Sequence, residues 1–103
     1  MKNRFLTFPA HVQILNMVSD LKKAENLFDT NRSSAINHLY RAIILLDYII
    51  ADQKWQSKLR ELSRLREVIA SLIVNKQPYA TLNQTIDAAL QLDPIAYQTL
   101  QIK

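Results

Sequence analysis

Two histidines, nine carboxylates and a scatter of hydroxyls are what this chain offers for catalysis or metal binding. His11 and His38 lie far apart, with no His-x-x-x-His pair and no paired carboxylate near either. Zinc sites draw on His and Cys at short spacings, and the chain has no cysteine. A metal site is therefore not expected, and disulfides and thiol catalysis are excluded. Asp47 and Asp52 fall on different sides of one helix and do not form the facing carboxylate pair that glycoside hydrolysis needs. Asp47 alone is expected to pair with a Lys or Arg or to reach solvent. As a buried catalytic acid it would have no base or nucleophile beside it. The chain also has no glycine, and phosphate-cradling loops and nucleophile elbows rely on glycine for close backbone approach. No nucleophile–base pair or cofactor loop can be assembled, so the chain reads as a non-enzyme without a cofactor.

The elements around these residues are helical by the same arithmetic. The chain has 103 residues, 49% of them hydrophobic and 21% charged. That length fits one domain, and the apolar share is too high for disorder. Without glycine, tight β-hairpins are disfavoured. Net charge is +4, a mild basicity that aids solubility and weakly favours acidic partners. The longest apolar stretch, Ala42 to Ala51, is broken by Asp47. It is too short for a membrane span of about 20 residues. Pro9 and His11 end any apolar run near the start too early for a secretory signal, so a cytoplasmic location is expected.

Four amphipathic helices follow from periodicity. The first opens near Thr7, with Pro9 in its first turn, and carries Ile14, Met17, Val18, Leu21, Ala24 and Phe28 as one stripe. The polar cluster from Asp29 to Ser34 supplies a break and N-caps. The second runs from about Ser34 to Ala51 with Ile36, Leu39, Tyr40, Ile43, Leu46 and Ile50 inward. A short link, Asp52-Gln53-Lys54, leads to the third, with Trp55, Leu59, Leu62, Leu65, Ile69, Leu72 and Ile73. It ends near Asn75, and Pro78 blocks continuation. Thr81-Leu82-Asn83-Gln84 is a capping box for the fourth, with Leu82, Ile86, Ala89 and Leu90 inward. Asp93-Pro94 starts a short tail with Ala96, Tyr97 and Leu100. Short connections favour an antiparallel up-down four-helix bundle with a short C-terminal helical tail.

The second helix is apolar on two sides. With its core stripe centred near Ile43, Ala42, Leu45 and Ile49 fall on the opposite side, next to His38, Arg41 and Tyr48. Either the helix is central and covered by its own chain, or that side takes up a partner helix or a second copy. Lys54, Lys58, Arg60, Arg64 and Arg66 line the third helix against Glu61 and Glu67. These read as a solvated face with local pairing, such as Glu61 with Arg64. A phosphate-binding stripe is the alternative. Tyr40, Tyr48, Tyr79, Tyr97 and Trp55 are dispersed, which suits packing better than a base-stacking platform. Trp55 is expected to close one end of the core.

Pro9-Ala10-His11-Val12-Gln13-Ile14-Leu15, a polar break, and then Ala35-Ile36-Asn37-His38-Leu39-Tyr40-Arg41-Ala42-Ile43-Ile44 resemble the helical pattern of the flagellin-specific export chaperones. The likeness is one of helix order and covers most of the chain. The Leu-Tyr-Asp element of that family is absent, since Asn16-Met17-Val18 follows Leu15. The resemblance implies a cytoplasmic antiparallel four-helix bundle that shields a helical end of a secreted subunit in apolar grooves. In size, charge and helical class the chain is also similar to the small basic immunity proteins against class II bacteriocins.

The sequence thus points to a protein-binding helper that takes a partner helix on Ala42, Leu45, Tyr48 and Ile49, with Arg60 and Arg64 at the rim. A nucleic-acid-binding or membrane-peripheral domain using the Lys54 to Arg66 segment is the competing class, and a structural homodimer through the second helix is a third. Nucleic acid is not the expected partner.

Overall fold

The computed structural model describes residues 2–74 and 81–101. Every regular element among them is helical. The elements are α1 (Lys2–Leu6), α2 (Ala10–Leu27), α3 (Arg32–Ala51), a 3-10 segment (Gln53–Lys58), α4 (Leu59–Val74), α5 (Leu82–Leu90) and α6 (Pro94–Gln101). None of the described helices is long and apolar enough to cross a membrane.

The chain enters α2 through Pro9, whose backbone is extended, with ψ 157°. Its carbonyl accepts from Val12 and Gln13, both at 3.0 Å. Pro9 thus precedes the helix and does not lie in its first turn. Residues before it double back as α1, which periodicity did not reveal. At the other end, Phe28 keeps a right-handed helical backbone, and Asn31 donates to the Leu27 carbonyl at 2.7 Å. Asn31 then caps α3 by accepting from the Ser34 amide, and the Arg32 guanidinium stacks 4.9 Å from the Phe28 ring.

The other boundaries follow local chemistry. Asp52 ends α3 and caps the 3-10 segment by accepting from the Lys54 amide. Thr81 and Gln84 form the reciprocal capping box of α5, with bonds of 3.1 and 2.9 Å. Asp93 accepts from the amides of Ile95 and Ala96 and starts α6. The end of the third helix at Asn75, the stop at Pro78, and Tyr79 lie outside the described residues.

Neighbour relations form a ring: α2 packs most extensively on α3, α3 on α4, α4 on α5, and α5 back on α2. α6 lies against α2 and α5, and α1 against α3. One apolar cluster, from Phe5 to Ala96, fills the interior. The expected stripes of α2, α4 and α5 face it: Ile14, Met17, Leu21, Leu62, Ile69 and Ala89 are fully buried.

The face of α3 is corrected. Ala35, Leu39, Ala42, Leu45, Leu46 and Ile49 point inward, a rotation of about 100°, or one residue, from the stripe centred on Ile43. Tyr40 and Ile44, at 51% and 48% exposure, face out. The run Ala42-Ile43-Ile44-Leu45-Leu46 carries no phase of its own, so packing against α2 and α4 sets it.

Candidate functional site: a groove beside the α2–α3 seam

Ala42 and Ile49 are fully buried and Leu45 nearly so. They therefore cannot form the exposed side of α3 expected from sequence. They belong to the buried apolar cluster, and α2 is the most extensive neighbour of α3. The expected partner set is also divided. Leu45 and Tyr48 line one groove, Arg64 lines another, and Arg60 is exposed on α4 and lines neither.

The larger groove, about 760 Å³, is walled by three segments. The N-terminal segment contributes Arg4, Phe5 and Phe8; α2 contributes Asn16, Ser19, Asp20 and Lys23; α3 contributes Arg41, Ile44, Leu45 and Tyr48. The spacing 16-19-20-23 on α2 and 41-44-45-48 on α3 places each set on one helical face. The two walls run for about 10 Å, two helical turns. At one end Phe5 meets Phe8 edge-on and tilts against Tyr48, with ring centres 6.1 Å apart in both pairs.

The other end is polar. Asp20, almost fully buried, places Oδ1 3.1 Å from His38 Nδ1 and 3.7 Å from Arg41 Nε. Arg4 and Lys23 have no carboxylate partner among the described residues.

A clasp of buried polar groups holds the aromatic end in place. Gln13 is fully buried; its Nε2 donates to the Phe5 carbonyl at 3.1 Å and to Asp52 Oδ2 at 3.4 Å. Its Oε1 accepts from the Trp55 indole at 2.7 Å. Lys54 Nζ donates to the Phe8 carbonyl at 2.8 Å. Burial pushes the Asp52 carboxyl up, but bonds from the Lys54 amide and Gln13 and the nearby Lys54 ammonium outweigh it and hold Asp52 below its ordinary value. Trp55 is buried within the apolar cluster. Gln13, Phe5, Phe8 and Ile44 were not singled out from sequence. Gln13 and Asp20 had a signal: both occupy the inward register 13-17-20-24 of an otherwise apolar stripe.

On the far side of α3, Asp47 accepts from Arg66 Nε at 2.6 Å. This bond raises the Arg66 pKa further above its ordinary value. Both side chains are about half exposed. Asp47 thus ties α3 to α4 at the surface, the pairing expected of it. The second groove, about 370 Å³, lies between α4 and α5, with Lys58, Glu61 and Arg64 on one side and Gln84, Thr85 and Gln91 on the other. Among the described residues no group of three His, Asp or Glu could hold a metal ion.

Compared with protein-family models, curated proteins and solved structures, the chain matches none.

Proposed function

We propose that this chain is a non-enzymatic, cytoplasmic protein-binding helper that shields a helical segment of a protein partner in the groove walled by α1, α2 and α3. In this reading the ring of α2, α3, α4 and α5 is an antiparallel up-down four-helix bundle, and α6 is its C-terminal tail. Short connections and the closed ring of neighbours support that arrangement. Ala42 and Ile49 are scaffold. Tyr48 remains in the contact set and is joined by Phe8 and Ile44, while Leu45 and Phe5 are buried beneath them. Arg60 and Arg64 leave it.

The observation that carries the reading is Ile44. It stands half exposed on the outward register 33-37-40-44-47-51 of α3, otherwise occupied by Ser33, Asn37, Tyr40, Asp47 and Ala51. It lies at the lip of an open groove whose other apolar residues are largely aromatic. A partner helix laying an apolar stripe there would remove Ile44 and the ring edges from water. The resemblance to the export chaperones implies the same kind of role.

Light scattering across a concentration series tests the reading. A monomer near 11.9 kDa is expected at every concentration, which leaves the groove free for a foreign segment. A dimer dispersed by Ile44→Asp would mean that a second copy covers the groove, and the helper reading would fall.

A further inference from the structure

We infer that the segment taken up by this groove is an acidic amphipathic helix, with its apolar stripe on Phe8, Ile44 and Tyr48 and its carboxylates against Lys23, Arg41 and Arg4. The inference rests on the helix-in-groove reading above and adds the charge of the occupant.

The argument is one of charge complementarity. Three cations and one acid line the groove. The acid, Asp20, is buried and already faces His38 and Arg41. Arg4 and Lys23 have no carboxylate within ion-pair distance among the described residues. Elsewhere Arg66 is held by Asp47 and Lys54 by Asp52, whereas Lys58, Arg60 and Arg64, like Arg4 and Lys23, are in no ion pair among the described residues. The groove therefore presents positive charge beside an apolar floor. A basic helix would meet like charge there. An uncharged one would cover Lys23 and Arg4 without compensating them. The walls extend about two helical turns, which suits apolar positions at i, i+3 or i+4, and i+7 with acidic residues on the flanks. A nucleic-acid strand fits less well, because the Phe5 ring is almost fully buried against its neighbours and offers no free face for a base.

Two synthetic helical peptides with the same leucine stripe, one flanked by Glu and one by Lys, test this by fluorescence anisotropy against the full chain. The Glu peptide is expected to bind about tenfold tighter, with the gap closing as salt is raised. Lys23→Glu combined with Arg4→Glu, which breaks no ion pair among the described residues, should abolish or reverse the preference. Equal affinity for both peptides, lost with Ile44→Asp, would overturn the acidic assignment and leave the helix-in-groove reading standing. Binding of neither peptide, or binding that Ile44→Asp does not weaken, would overturn both. Tighter binding to phosphatidylserine vesicles than to the Glu peptide would also overturn both, in favour of a lipid surface. If Ile44→Asp loses its helical circular dichroism, Ser19→Trp fills the groove from its exposed wall and gives the same readout.

Discussion

Gln13 and Asp20 are two buried polar residues on one helix, two turns apart, and they end in opposite situations. Gln13 is sealed. Its partners come from the α1 backbone, from Asp52 and from Trp55, so one neutral amide joins three stretches of chain. Asp20 sits at an edge. Its partners, His38 and Arg41, remain 21% and 59% exposed in their side chains. An amide can be closed off once its hydrogen bonds are made, whereas a carboxylate is costly to enclose unless its partners stay hydrated or the pairing is complete. One end of the α2–α3 seam therefore fixes geometry, and the other leaves charge facing solvent where a partner could meet it.

The sharpest way to break this contrast is Trp55→Ala. It empties a core position and orphans Gln13 Oε1, and should cost about 3–5 kcal/mol in denaturant unfolding. Gln13→Leu keeps the volume but strands the Trp55 indole and leaves the Phe5 carbonyl with the Phe8 amide alone. A loss of about 2 kcal/mol is expected, with amide exchange accelerated first in α1. Asp20→Asn should cost about 1 kcal/mol or less, because the partners left behind can be solvated. If it cost more than Gln13→Leu, the open and closed ends would have been misassigned. The smallest effect is acid-linked. Asp52 has its folded pKa held below 3.8, so its contribution is present above that value and lost as the pH falls through the folded one. The melting temperature should drop below about pH 4. Asp52→Asn, which retains the cap on Lys54, should flatten that drop.

How far this could be read in advance varied with local pattern. In α4, polar residues separate Leu62, Leu65, Ile69 and Leu72, so the period carries a phase and the inward face was legible. The starts of α5 and α6 were legible because Thr81/Gln84 and Asp93-Pro94 encode them within four residues. In α3 five successive apolar residues erase the phase, and the partner residues deduced there were rotated into the core. Its polar register, 33-37-40-44-47-51, held the correct phase and would have marked Ile44 as the exception. α1 has five residues, too few to show a period or to hold a helix without tertiary contacts. The groove could not be read because one of its walls depends on α1.

The clasp also bears on the order in which the chain can assemble during synthesis. Lys54 reaches back 46 residues to the Phe8 carbonyl and Trp55 reaches back 42 to Gln13. Translation proceeds at roughly 5–20 residues per second, so these anchors emerge about 2–10 s after the segment they hold. Of the two stretches the clasp joins, the earlier one must therefore wait, with Phe5 and Phe8 uncovered on the ribosome until the α3–α4 corner has left the exit tunnel.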